Sequence, residues 1–432
     1  MSRRILFLAH RIPWPPDKGD KLRSFHWLDR LARRHHVRLA CFVDDPADMR
    51  HVPALRALCA DVLAIPLDRA TKLRRAAASL MRGRSGGSIT AAVYHDAELW
   101  QAIEEWRAAA PFDAVFTFSS AMAPYAMATP APRHVIDVCD CDSRKWLDYA
   151  ERSGRPMSAV YRREARLLRA LEHECLRRFD AVCVVNKREA QQLFPMHATP
   201  SSSHSRGPTP TTNLNIIPNG VDCAPITPLP AEPRVGFVGA LDYRPNVDGL
   251  KWFVSEVWPR VRRDRPDAEF HIIGRTPVRA VRRLSGAAGV RLIGPVDDLS
   301  PRYRRLRICV APLHIARGVQ NKVLEAMAHG RPVVATSCVA DGLDARAGEH
   351  LLVADNAADF ARAALQVLQS PDAKAKTLAD TARTWVRQEH LWSASCEALE
   401  QLVCGELHPM PPSEDSRAFE RVPAKAREEI PA

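Results

Sequence analysis

The sequence predicts an α/β fold: two doubly wound, Rossmann-like domains facing a cleft, with a C-terminal helix crossing back to the first domain. Three observations carry this. Short apolar runs of strand length alternate with segments of helical spacing through both halves of the 432 residues. Glycines stand at the exits of several runs, at Gly239, Gly274 and Gly294. An apolar strand, a proline and an Asn-Gly turn (Ile216 to Gly220) mark a hinge near the middle. At about 100–200 residues per domain, the length suits two. The expected division is a first domain at 1–197, a flexible Ser/Thr/Pro insertion at 198–213 and a second domain at 214–388. A crossover helix at 389–406 and a disordered tail at 407–432 complete it.

Composition narrows the function classes. Hydrophobic residues make up 46%, enough for two cores, and the net charge is +12. Such a charge favours phosphorylated ligands, anionic membranes or nucleic acid. No nucleic-acid recognition pattern is visible and aromatics are 6%, so no nucleic-acid partner is expected. The 11 cysteines are scattered and form no CxxC pair, which argues for reduced thiols rather than a disulfide framework or a zinc site. The N-terminus lacks a signal-peptide core, and no run of about 18 apolar residues occurs. The expected location is cytoplasmic, with a peripheral position on the inner face of the membrane as a variant.

In chain order, Arg4 to Ala9 is a buried strand and Ser24 to Arg34 a helix. The loop between them carries Gly19, Lys21 and Arg23 where open α/β sheets bind ligands; a rigid surface turn with incidental basic residues is the alternative. Strands follow at Val37 to Val43 and Val62 to Pro66. Arg69 to Arg84 is a basic amphipathic helix with Leu73, Ala76, Ala77 and Leu80 on one face. It reads as a contact for an anionic membrane surface or as a solvated helix with snorkelling arginines. Phe112 to Phe118 and Arg133 to Val138 are strands, the second running into Asp140 and Asp142. Those carboxylates suit acceptor hydroxyls, while Asp142 or Ser143 also suits an N-cap; no metal cage is expected. In the second half, Arg234 to Val238, Glu269 to Ile273 and Val290 to Gly294 are strands.

The organising stretch is Gly318 to Thr336, GVQNKVLEAMAHGRPVVAT. It reads as a helix ended by Gly330 and Pro332, then a short buried strand. A helix start attracts anions, Lys322 adds a full charge, and Glu325 one turn on accepts from hydroxyls. This suits a nucleoside diphosphate, with the lysine on the phosphates and the glutamate on the ribose. A solvent-exposed Lys/Glu pair on an ordinary helix has the same spacing.

Four segments together resemble the retaining family 4 glycosyltransferases of the GT-B fold. They are PWPPDKGDKLR (Pro13 to Arg23), IPNGVD (Ile217 to Asp222), FVGALDYRPNVDGLKWF (Phe237 to Phe253) and NKVLEAMAHGRPVVAT (Asn321 to Thr336). VIDVCDCDSRKW (Val135 to Trp146) and ARGVQNKVLEAMA (Ala316 to Ala328) look most like the sugar transferases of bacterial PEP-CTERM/exosortase exopolysaccharide systems. The resemblance implies a nucleotide-diphosphate sugar as co-substrate, no cofactor or metal, and a lipid-linked glycan acceptor bound by the first domain. It places Glu325 on the ribose and Lys322 on the diphosphate, with Gly239, Arg244, Gly274, Val296 and Gly318 around the donor. Gly19, Lys21, Arg23, Asp140 and Asp142 fall to the acceptor or phosphate loop. With no protein nucleophile evident, Lys322, Glu325, Arg317 and Arg275 are the catalytic candidates. Arg317 stands where the family carries the first glutamate of its E-x7-E motif, so donor-sugar recognition is expected to differ. The rival readings are a nucleotide-sugar epimerase and a non-catalytic nucleotide-sugar scaffold.

Overall fold

The computed structural model describes residues 2–83, 87–193, 213–223, 225–296, 298–316, 318–369 and 372–406. Arg317, most of the 198–213 insertion and the 407–432 tail lie outside them. Two parallel sheets organise the chain. The first holds β1 (Arg4–Ala9), β2 (His36–Val43), β3 (Asp61–Pro66), β4 (Ala114–Phe118), β5 (His134–Cys139), β6 (Ala181–Val184) and β7 (Leu214–Ile216). Their order is β3-β2-β1-β4-β5-β6-β7. The second holds β8 (Arg234–Val238), β9 (Glu269–Ile273), β10 (Val290–Gly294), β11 (Ile308–Ala311), β12 (Val333–Ala335) and β13 (Leu352–Val353). Its order is β10-β9-β8-β11-β12-β13.

The central strands are buried on both faces, which is why they read as continuous apolar runs. Alternation along them separates two cores in the first domain. Ile5, Phe7, Val37, Leu39 and Phe116 face one side, while Leu6, Leu8, Ala40, Phe42 and Val115 face the other. The helix Trp392–Cys404 supplies Trp392, Cys396, Leu399, Leu402 and Val403 to the first of these cores. The final helix therefore crosses back onto the N-terminal domain.

The boundary drawn at 214 is displaced. β7 pairs in parallel with β6, Val182 opposite Leu214 and Val184 opposite Ile216, so it closes the first sheet. The chain changes domain just after it. There Val221 bridges Leu391, and a Cβ at Gly220 would lie 2.2 Å from the Trp392 backbone nitrogen. Glycine is required where these two crossing segments touch. No helix among the described residues is long and apolar enough to cross a membrane.

Candidate functional site

Strand order reverses between β1 and β4 in the first sheet and between β8 and β11 in the second, so each sheet opens a crevice beyond its carboxyl ends. In the second crevice, glycines bring the strand exits together. The Gly239 N–H donates to the Ile273 carbonyl and the Gly274 N–H to the Gly294 carbonyl, both at 3.0 Å. A Cβ at Gly274 would stand 1.8 Å from the Gly239 oxygen, so no other residue fits there.

The helix Asn321–Ala328 starts beside these exits. Val323, Leu324, Ala326, Met327 and Ala328 are buried. Its C-terminus is a Schellman turn: the Gly330 N–H donates to the Met327 carbonyl and the Arg331 N–H to the Ala326 carbonyl, both at 2.9 Å, with Gly330 at φ +67°. At the other end Gln320 gives no side-chain cap, and the Val323 N–H donates to the Gln320 carbonyl at 2.8 Å. Lys322 Nζ donates to Asn246 Oδ1 at 2.5 Å and sits 4.9 Å from the centre of the Phe237 ring. Asn246 Nδ2 in turn donates to the Ala240 carbonyl, which fixes its oxygen toward the lysine. Glu325 Oε2 accepts from the Tyr303 hydroxyl at 3.2 Å. Tyr303 is fully buried and stacks on His329 with ring centres 4.6 Å apart.

Burial pulls the Lys322 ammonium down to about 7, opposed by Glu325. Burial likewise pushes the Glu325 carboxyl up, opposed by the Tyr303 hydroxyl and Lys322. The crevice thus holds a half-buried cation at a helix start without a side-chain cap. An anion bound there would restore the full charge of the lysine.

Other sequence-assigned residues fall elsewhere. Arg23 is 0% exposed and does not face an acceptor. Its Nε donates to Asp137 Oδ2 at 2.7 Å, its Nη1 to Asn219 Oδ1 at 2.8 Å, and its guanidinium lies 4.8 Å over Trp27. Lys21 is buried against Asp48 at 2.5 Å, with Asp17 at 3.6 Å. Arg275 spans the cleft to Asp17, at 3.0 Å to the carboxylate and 2.6 Å to the carbonyl. The Arg244 side chain is 91% exposed, beside Asp248. Val296 packs half-buried on the core of the second domain. Gly19 opens the helix Gly19–Ala32, and a Cβ there would meet nothing within 4 Å.

Neither Asp142 nor Ser143 caps the helix Asp142–Glu151. Carboxylates from distant helices do that work: Glu189 accepts from the Cys141 N–H at 2.8 Å and Glu172 from the Ser143 N–H at 2.9 Å. Asp142 instead accepts from the Ser120 hydroxyl at 3.0 Å. Asp140 reaches the other domain: a Cβ at Gly318 would stand 2.7 Å from its Oδ1. Sequence reasoning missed Asn246, Phe237, Tyr303 and Asn219 as site residues. The first two lie inside the motif that begins at Phe237, so that segment held the signal; Tyr303 had none.

Two facing doubly wound domains, with the charged crevice in the second, define the GT-B architecture. Residues 232–370, which carry Lys322 and Glu325, match the family of glycosyl transferases group 1. A Klebsiella pneumoniae protein described as "Uncharacterized 44.6 kDa protein in cps region" is 31% identical over 137 residues. That alignment covers 30% of this chain and 35% of the relative, so the match spans about a third of the relative's length. Sucrose-phosphate synthase from Thermosynechococcus elongatus superposes with a TM-score of 0.67 at 18% identity, over 94% of this chain and 99% of that one. HepE of Anabaena, in complex with UDP, gives 0.61 at 13% identity over 93% and 100%. WaaG, a glycosyltransferase involved in lipopolysaccharide biosynthesis, gives 0.58 at 14% identity over the same shares. At these identities the structural likeness establishes the fold.

Because the free lysine loses its proton near pH 7, binding of a nucleoside diphosphate should weaken as pH rises from 6.5 to 9. The expected slope approaches a factor of about ten per pH unit above the lysine's own midpoint, since one unit of pKa is about 1.4 kcal/mol. Calorimetric titration across that range, with Lys322→Met as the flat control, checks this. Equal affinity of the wild type at pH 6.5 and 9 would contradict the assignment.

Proposed function

We propose that the chain is a glycosyltransferase that moves a sugar from a nucleoside-diphosphate donor to a hydroxyl of a glycan acceptor, with retention at the anomeric carbon. The observation that carries this is Lys322, held between Asn246 and Phe237 at an uncapped helix start. The family match over 232–370 supports the donor half of the reading. Retention rests on the resemblance of the four sequence segments.

In this reading the bond from the sugar's anomeric carbon to the β-phosphate oxygen breaks. The acceptor oxygen bonds to that carbon, and the acceptor's proton leaves with the diphosphate. Negative charge grows on the departing phosphate, where Lys322 at the helix start stabilises it. Glu325, oriented by Tyr303, takes the ribose hydroxyls. The acceptor lies in the first crevice, around Gly19 and Asp142. Arg275, engaged with Asp17, acts as a tie between the domains that holds the cleft closed around the reacting groups.

A lipid-linked acceptor in exopolysaccharide assembly is the finer proposal, and two observations support it. The relative described above is placed in a cps region. The helix Arg69–Met81 turns its apolar residues outward, with Leu73 63%, Leu80 39% and Met81 82% exposed. That is the posture of a helix lying on a membrane surface.

Removing one preorganised donor to a developing anion typically costs about 10²–10³ in rate. Lys322→Ala should therefore lower sugar transfer by that factor, followed by mass spectrometry of products from a panel of nucleotide sugars. A Lys322→Ala enzyme that transfers at the wild-type rate would end this assignment. Sedimentation with anionic liposomes addresses the membrane part. Leu73→Glu with Met81→Glu should release a protein that the liposomes otherwise pellet, and unchanged pelleting would count against it.

A further inference from the structure

The segment between β11 and the helix Asn321–Ala328 reads Ala316-Arg317-Gly318-Val319-Gln320 and contains no acid. A carboxylate nevertheless reaches it from the opposite domain. β5 ends at Cys139, whose φ of +63° turns the chain sharply before Asp140. Gly318, itself at φ +57°, has no side chain, and the Asp140 carboxylate fills the space where one would be. The approach is supported from both sides. The Gly318 carbonyl lies 2.8 Å from where a Gly342 Cβ would be, and Asn186 Nδ2 donates across the cleft to the Gly342 carbonyl at 2.9 Å. Asp140 Oδ1 is buried and has no hydrogen-bond partner. The carboxyl is pushed up to about 7 by burial, with Glu189 and Asp142 adding to the rise.

A carboxylate kept here costs stability. With one oxygen buried and unpartnered, beside other carboxylates, it is less favourable than a neutral side chain of the same shape. Groups retained at such a cost are candidates for function rather than folding. The position suggests which function. Gly318 stands three residues before the helix that holds Lys322, so a donor's phosphates at Lys322 would leave its sugar in the gap toward the first domain.

We propose that Asp140 binds hydroxyls of the donor's sugar across the cleft, making it the specificity-determining carboxylate that the second domain's own loop lacks. This rests on the glycosyltransferase reading. A carboxylate accepts from two neighbouring hydroxyls at once, so it selects sugars by the arrangement of those hydroxyls. It adds nothing to the binding of a bare nucleotide, and the test uses that difference.

UDP, GDP, ADP and TDP, each with and without glucose or mannose attached, are titrated into wild type, Asp140→Asn and Gly318→Ala. The wild type should bind one sugar nucleotide more tightly than its parent diphosphate. Asp140→Asn should lose about tenfold or more of that increment, as expected for hydrogen bonds to a charged group, while keeping the diphosphate affinity within twofold. Gly318→Ala, which brings a methyl against the same carboxylate from the other domain, should lose the increment too. Asp140→Asn should also melt no lower than the wild type at pH 8. Loss of diphosphate affinity together with a lowered melting temperature would make Asp140 a structural residue and overturn the proposal. An unchanged increment would overturn it as well. Absence of binding to every nucleotide would remove the glycosyltransferase reading first, and this inference with it.

Discussion

The charge of one half-buried ammonium group, Lys322, is the feature around which the second crevice gathers its partners. Desolvation works against the Lys322 charge, and its surroundings oppose desolvation only in part. Asn246 offers one oxygen, Phe237 a ring face, and Glu325 a charge one turn along the helix. Each comes from a different element: strand β8, the helix that follows it, and the helix after β11. They meet because the strand exits approach closely, which the bare Gly239–Gly274 contact allows. In the function proposed, a diphosphate supplies the counter-charge that Lys322 lacks at this helix start.

Contacts of different strength lie near the hinge and at the mouth of the cleft. Near the hinge, the Arg23–Asp137 pair is fully buried, and Trp27 Nε1 also donates to Asp137 at 2.7 Å. Asn219 links that pair to Asn321, the residue before Lys322, at 3.0 Å, and its carbonyl lies 3.1 Å from His390 Nδ1. Breaking one member of a buried pair would cost about 3–5 kcal/mol. At the mouth of the cleft, the Arg275–Asp17 pair is half-exposed and of the kind worth at most about 1 kcal/mol. The buried Arg23–Asp137 pair lies within the first domain; among the contacts that cross to the second are the Asn219–Asn321 hydrogen bond near the hinge and the weak Arg275–Asp17 pair at the mouth.

The sequence made the second crevice more legible than the first. Helical spacing, the stopping glycine and the following β-branched run at Gly318 to Thr336 all act locally, so the helix Asn321–Ala328 and β12 fall where expected. Lys21 and Arg23, expected in a loop, lie in the helix Gly19–Ala32; they misled because a basic residue near a strand exit looks the same whether it faces a ligand or a carboxylate. Asp137 is 114 positions from Arg23, and only the folding of β5 beside β4 brings them together. The helix caps at Cys141 and Ser143 come from Glu189 and Glu172 on other helices, a replacement of local capping by tertiary contacts. The strand Leu214–Ile216 joined the first sheet for the same reason, since pairing is chosen by the neighbouring edge. Tyr303 sits in a short helix with no periodic signal, yet it sets the orientation of Glu325.

The most direct test of this account is amide hydrogen exchange with and without a bound nucleoside diphosphate. Protection should concentrate in residues 318–325 and at the β8 and β9 exits around Gly239 and Gly274, and Lys322→Met should abolish it. Protection confined to the first domain, or persisting at 318–325 in Lys322→Met, would place the anion elsewhere and contradict the role given to this lysine.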